Sequence, residues 1–597
     1  MKIYKTIMLQ AAVLLAMSGC NVEPEYYSEM GPMSVFEAPQ RVYERLASVY
    51  VHVAYNEGIG FHNSSWSFLQ EFNTDELCLP IRGTDWEDDQ EYVRHYLHDY
   101  TPSMRELEGA WNAVGMGVAK AYQAKEDLDT YADFNKLFPE DPEGVRDAVL
   151  MQLDVIVAMC YLRGLDFFGG YPIYYSNKDT VKGRNSDREV FEFIEKLLTD
   201  ALPKLPKKAN PNAVQTGYVD QGVAAALLAR LYFNAESYIQ ESRFADCARI
   251  CELFLQGEYG VYQQAGDYRN VFGWGNETCG EIIWSIPSDN SKYQWNFGNY
   301  EHMLHYESWK TLNFPGLGAL VCPAVPGLYN GWCLTPSLDG DSLCYAEGRT
   351  GYGKGVSPKA FKLGSPYAKF EDTDVRKKQY VYKGGGTYEG MFLVGPQGYY
   401  DGVDENGRPK IVGAIGSREY SGKPLVIVDQ IAYLSRRGDA DFAEGIKHGE
   451  ENSGIRLIKF SPIPNGAEQN LMFNPDRPII RLPEIKYMLA ECKLRDGATG
   501  PAATLINEVR ARYFEDGNDP NPVTAANLDK YRMLDEWMIE FLGENRRRTD
   551  LIRWGEFTNG RWFDHEPDGQ AHLNRLPLHE KTIGANQLLT PNNPGYN

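Results

Sequence analysis

The residues best suited to hold a ligand stand in aromatic, acidic loops. In "PIRGTDWEDDQEY" (80–92) Trp86 sits among Asp85, Glu87, Asp88 and Asp89. A core tryptophan seldom keeps such neighbours, and Pro80 and Gly83 mark the stretch as a loop. An aromatic face stacks on the apolar C–H face of a sugar ring, while carboxylates, amides and guanidinium groups exchange hydrogen bonds with hydroxyls. A second loop, "SDNSKYQWNFGNYEHMLHYESW" (288–309), offers Tyr293, Trp295, Tyr300, Tyr306 and Trp309 with Asn and His between them. Tyr293, Trp295 and Trp309 are favoured there, and Trp332 in "LYNGWCLTP" is a third candidate. Trp111, Trp284, Trp537 and Trp554 fall in helical or strand patterns and read as core.

Other chemistries fit less well. "ENRRRTDLIRWG" crowds Arg546, Arg547, Arg548 and Arg553. In a chain of net charge −22, these read as structural braces rather than a phosphate site, with Asp535, Glu536, Glu540 and Glu544 as partners around the helix. The same charge argues against nucleic acid as a partner. Asp75 and Glu76 read as braces or caps. The pairs His95/His98 and His302/His305 lack a third ligand nearby, so no metal is expected. No cofactor motif and no nucleophile, Walker or zinc-protease pattern stands in a convincing context. A glycosidase needs two carboxylates facing one bond, and nothing selects a pair among 82 acidic residues. Cys247 and Cys251, four apart on one expected helix, read as small buried hydrophobes. Cys322, Cys333 and Cys344 could supply one bridge.

The elements that must position these loops are mainly helical. Residues 106–128 and 145–168 carry helical periodicity, the second nearly apolar all round. Gly169-Gly170 and Pro172 end it. Ser186 and Glu189 form a capping-box pattern. In 219–256 two helices follow one another closely, with Ala225, Leu228, Ala229 and Tyr232 on one face, as in a tetratricopeptide unit. A similar pair recurs at 482–495 and 501–513. Between them, residues 267–475 are rich in Gly, Pro, Tyr and Trp and lose helical period. "EIIWSIP" (281–287) reads as a strand, and "YVYKGGGTYEGMFL" as short strands about a glycine turn. The expected fold is mainly α: tetratricopeptide-like helix pairs in a solenoid-like body (about 36–260 and 476–560) with a loop-rich insertion (about 265–475) containing short strands.

The N-terminus supplies an address. Lys2 and Lys5 precede an apolar run from Ile7 to Met17, too short to span a bilayer. It ends at Met17-Ser18-Gly19-Cys20, which resembles the lipobox of bacterial lipoproteins. By that resemblance residues 1–19 are a signal peptide and Cys20 is the lipidated first residue of the mature chain. No later segment reads as long and apolar enough to cross a membrane.

Several stretches together resemble the RagB/SusD family of outer-membrane nutrient-binding lipoproteins. They include "TDELCLPIRGTDW" (74–86), "LRGLDFFGGYPIYY" (162–175), "GVAAALLARLY" (222–232), "GDYRNVFGWGNETCGEIIWSI" (266–286), "RLPEIKYMLAEC" (481–492) and "ENRRRTDLIRWGEF" (544–557). Their shared order covers nearly the whole mature chain, so the resemblance implies one SusD-like domain over 20–597. It implies a non-catalytic protein at the cell surface that binds oligosaccharide or polysaccharide. Such a protein is anchored in the outer membrane by lipid and delivers cargo to a SusC-like TonB-dependent transporter barrel. It also implies that Arg82, Asp85 and Trp86 contribute to the ligand site, with the loop after the 281–287 strand. A peptide-binding member of the family is the alternative, and a surface glycoside hydrolase the more distant one.

Overall fold

The structure, a computed structural model, describes residues 35–57, 66–214, 216–288, 305–306, 329–337, 358–384, 387–434, 442–460 and 475–596. The expectations for Cys20, Tyr293, Trp295, Trp309, Cys322 and Cys344 fall outside the described residues.

The main helices are α1 (Pro39–Glu57), α2 (Arg105–Tyr131), α3 (Pro142–Phe168), α4 (Asp187–Ala201), α5 (Gln221–Phe233) and α6 (Phe244–Leu255). After the insertion come α7 (Leu482–Arg495), α8 (Thr499–Arg510), α9 (Lys530–Phe541) and α10 (Arg547–Arg553). Each of α1 to α7 packs on the next, so α6 meets α7 across the insertion. The result is the expected solenoid-like stack of helix pairs.

Local chemistry sets the ends. Asp141 accepts a hydrogen bond from the Gly144 amide at 3.0 Å and Pro142 opens α3, a favourable pairing of N-cap and first-turn proline. Gly169 takes φ +74° just past its end. The capping box of α4 forms in full, with Ser186 and Glu189 bonded reciprocally. Helix α3 corrects one expectation. It is long and apolar enough to cross a membrane, yet 83% of its apolar window is buried inside the protein. Neighbouring helices take the place that lipid would. At Gly117 a Cβ would lie 2.5 Å from Cys160 Sγ, so the small residue sets how closely α2 approaches α3. Cys247 and Cys251 are fully buried on α6, beside Cys492 of α7.

The insertion leaves and rejoins the helices through one antiparallel pair. Strand β2 (Ile282–Ile286) pairs with the strand Arg477–Arg481, from Ile282↔Arg481 to Ile286↔Arg477. The second strand runs directly into α7. Behind this stem lies a buried ionic cluster. Arg481 bonds Glu544 at 2.8 Å and reaches Glu281 at 3.3 Å. Arg512 bonds Glu540 at 3.0 Å, and Lys459 bonds Glu544 at 2.5 Å. Such clusters add little net stability over apolar packing, but losing one member leaves an uncompensated charge.

A second seam ties the insertion to the 74–92 segment. The short strand β1 (Leu77–Cys78) pairs with β3 (Cys333–Leu334), placing Cys78 opposite Cys333 with their Sγ atoms 4.0 Å apart. The Ile81 amide donates to Ile446 O at 2.9 Å, and the Gly449 amide to Ile81 O at 2.8 Å.

The clustered arginines are braces, but with different carboxylate partners from those expected. Arg547 makes a two-pronged pair with Asp75, at 2.6 and 2.9 Å, both side chains fully buried. Arg553 grips Glu491 at 2.7 and 2.8 Å. Arg546 pairs with Asp550 and Glu484, and Arg548 donates to the carbonyls of Asp166 and Asn574. The upstream carboxylates are taken by other cations: Asp535 by Lys369, Glu536 by Arg510 and Arg532, and Glu540 and Glu544 by the stem cluster.

Candidate functional site

The loop before residue 91 is held in a conformation that ordinary residues resist. The amides and carbonyls of Arg82 and Asp85 bond reciprocally at 3.0 Å. Gly83 turns the corner at φ +65°. Trp86, Asp88, Asp89 and Gln90 then all have positive φ, of 63°, 31°, 53° and 59°. Each non-glycine residue there costs on the order of 1–2 kcal/mol, so surrounding contacts must hold the loop open. One of these is the indole of Trp86, whose Nε1–H donates to Tyr329 O at 3.0 Å.

That bond places three aromatic rings together. Trp86 meets Tyr92 edge to face at 6.0 Å and 68°, and Tyr329 at 6.3 Å and 81°. Tyr329 is 36% exposed and Trp86 is half-buried. Beside them Asp85 forms an ion pair with Arg418 and accepts a hydrogen bond from the Tyr306 hydroxyl at 2.5 Å. The Arg418 guanidinium lies 3.9 Å above the Tyr306 ring, a cation–π contact. Burial and the neighbouring Asp85 carboxylate push the Tyr306 hydroxyl well above its ordinary pKa, so it stays a neutral donor. The patch therefore joins apolar ring faces to a carboxylate, a guanidinium and a hydroxyl.

The other expected contacts sit differently. Arg82 is only 2% exposed. Its guanidinium donates to Gly331 O at 3.0 and 3.1 Å, to Glu450 O at 2.6 Å and to Ser453 O at 2.9 Å. It lies behind the loop and brings the carbonyls of two insertion segments against it. Trp332 is 4% exposed and packs edge to face on Phe72 at 5.5 Å. Neither side chain faces solvent as a ligand contact would. Among the expected core tryptophans Trp111, Trp284 and Trp537 are buried. Trp554 differs, being half-buried with the Arg495 guanidinium 3.7 Å above its ring. Sequence reasoning missed Tyr329 and Arg418. A tyrosine immediately before an asparagine-glycine-tryptophan run was the available signal for the first, and nothing marked the second.

Two hollows in the helical region share no lining residue with this loop. One, of 360 Å3, is lined by Trp111, Tyr171, Tyr174, Asn177 and Leu589 among others. The second, of 470 Å3, lies near Tyr238, Arg495, Arg553 and Trp554. Neither combines paired exposed aromatic faces with an adjoining acid and base as the loop patch does.

A sequence model of the SusD family matches residues 280–596, more than half of the chain. The chain belongs to the SusD family. This SusD-family protein is 23% identical to the starch-binding protein SusD of Bacteroides thetaiotaomicron over 559 residues, 90% of this chain and 86% of that one. In fold it resembles a laminarin-binding SusD-like protein, at a TM-score of 0.60 and 17% identity, covering 94% of this chain and all of the other. It also resembles surface glycan-binding protein A of Bacteroides thetaiotaomicron in complex with laminarihexaose. There the TM-score is 0.59 with 14% identity, covering 93% and 99% of the two chains. SusD-like proteins are non-catalytic, and this SusD-family protein is accordingly not an enzyme.

Proposed function

We propose that this protein binds oligosaccharide or polysaccharide at the cell surface and delivers it to a TonB-dependent transporter barrel in the outer membrane. The observation that carries the reading is the Trp86–Tyr329 aromatic pair flanked by Asp85 and Arg418. The rings would take the C–H faces of a sugar, and the acid, base and Tyr306 hydroxyl would engage its hydroxyl groups. Arg82 and Trp332 would support these contacts from behind. Tyr293, Trp295 and Trp309 are proposed as further aromatic contacts. Kinship with a starch-binding protein supports the same ligand class. Lipidation at Cys20 would hold the protein in the outer membrane, facing outward, where polymer is met before transport.

Each stacked ring contributes roughly 0.5–1.5 kcal/mol beyond its buried area, so affinity would come from several rings acting along a chain. Affinity gel electrophoresis against a polysaccharide panel that includes starch and laminarin tests the reading. Retardation by at least one glycan, lost in Trp86→Ala, is expected. Retardation by none, with a peptide recovered as the copurified ligand, would overturn it.

A further inference from the structure

We propose that His98, His565 and Asp568 form a binding site for a divalent transition metal of the zinc class, with His98 Nδ1, His565 Nε2 and an Asp568 oxygen as ligands. His98 lies 467 and 470 residues from His565 and Asp568 in the chain, yet the three converge within the fold. His98 Nδ1 is 2.8 Å from Asp568 Oδ2 and 3.2 Å from His565 Nε2, and the third edge is 3.3 Å. Zinc held tetrahedrally at ~2.0–2.1 Å separates its ligands by about 3.3 Å. Two edges match that spacing and the third is slightly shorter.

The hydrogen-bond chemistry points the same way. His98 Nε2 lies 2.8 Å from the carbonyl oxygen of Asn73. A carbonyl only accepts, so the proton sits on Nε2. This is the arrangement that orients a metal-binding histidine through its outer nitrogen. The ring is buried against Phe557, at 4.1 Å, and near Trp562, which fixes its orientation. Nδ1 then presents a lone pair toward a carboxylate and a second imidazole nitrogen. Three candidate ligand atoms from two distant segments thus converge on one point, where a cation would sit. The His565 ring is fixed by stacking on Trp562 at 3.8 Å with planes 3° apart. Asp568 is 15% exposed and the two histidines are at most 1% exposed, so the carboxylate side provides the entry path. His95, one turn earlier, turns away toward Glu106, with Nε2 3.8 Å from Oε2.

The ion would tie the end of the helix Glu91–Tyr96, which follows directly on the Trp86 loop, to the 562–568 segment. The test uses the full mature chain without a histidine tag, stripped with EDTA and dialysed. Zinc is titrated against a chromophoric chelator, and bound metal is counted by mass spectrometry. One equivalent is expected, with a higher unfolding temperature in zinc than in EDTA. Asp568→Asn and His565→Gln should each bind at least about 100-fold more weakly and lose the zinc-dependent rise. If His565→Gln fails to fold, the partly exposed Asp568→Asn carries the test alone, with circular dichroism confirming its fold. Wild-type protein that binds no zinc, or binds it no more tightly than Asp568→Asn, overturns the proposal and leaves a histidine–aspartate ion pair.

Discussion

Arg82→Met is expected to damage both stability and ligand binding, because Arg82 holds the binding loop from behind. Met keeps an apolar stem of similar length and removes the guanidinium. Four donor contacts disappear, to Gly331, Glu450 and Ser453. Ser453 O keeps a second donor in Arg456, at 2.6 Å, and Glu450 O keeps the Ser453 amide, at 3.1 Å, whereas the Gly331 carbonyl loses both Arg82 donors. A buried group deprived of its partner costs about 1–3 kcal/mol, so the Gly331 carbonyl sets a loss of about 1–3 kcal/mol, partly offset by relief of a buried charge. The strained 86–90 backbone would relax once its backing loosens. Urea unfolding followed by near-UV circular dichroism measures the first effect, and isothermal titration with a bound glycan the second. Glycan affinity should fall by about tenfold or more in protein that is still folded. Arg82→Lys, which keeps the charge but not the fork, should lie between the two. An Arg82→Met protein as stable as wild type, or a folded one that binds glycan unchanged, would refute the bracing argument.

Other outcomes follow from buried charge. Asp75→Asn should cost about 3–5 kcal/mol, since the fully buried Arg547 loses its two-pronged counter-ion and keeps only the more distant Glu76, at 3.7 Å. A double-mutant cycle with Arg547→Met should show that most of the loss is coupling. Acidification should destabilise the protein as pH falls from about 4.5 toward 2. Burial alone would raise Glu540, but Arg481, Arg512 and Arg376 hold it at about 2. Its folded pKa is thus depressed, and the stability it contributes above the unfolded pKa is lost on protonation. Glu71 has the opposite sign. Burial lifts it to about 7 against the lowering effect of hydrogen bonds from Glu76 and the Arg546 amide, so its contribution is full below about 4.5 and is lost as pH rises toward 7. Thermal unfolding across pH 4 to 8 should therefore show a shallower decline in Glu71→Gln than in wild type; parallel curves would contradict this assignment.

The helical body was legible because its signals are local. The apolar face of α5, the Ser186–Glu189 box and the glycines after α3 each act within a few residues, and the structure places them as the sequence implied. The strand at 282–286 was legible for the same reason. The binding patch was only half legible. Asp85 and Trp86 announce themselves by composition, but their partners Tyr329 and Arg418 arrive from 243 and 333 residues away. Arg82 misled because an arginine beside a loop tryptophan looks the same in sequence whether it faces sugar or backbone. Its acceptors are main-chain carbonyls, which every residue carries and no sequence pattern marks. The arginine cluster at 546–553 shows a related failure. Nearby carboxylates were the natural guess, yet Asp75 reaches Arg547 across 472 residues. The i, i+3 histidines gave no sign of a third ligand because His565 and Asp568 approach only through the tertiary fold.

The central claim, that sugar is held at the Trp86–Tyr329 patch, is tested most directly by isothermal titration of a retained glycan into wild type, Trp86→Ala and Tyr329→Ala. The account predicts measurable wild-type binding, a loss of about tenfold or more in Trp86→Ala, a smaller loss in Tyr329→Ala, and unchanged circular dichroism in both. Glycan binding that persists at wild-type strength in both variants would contradict it.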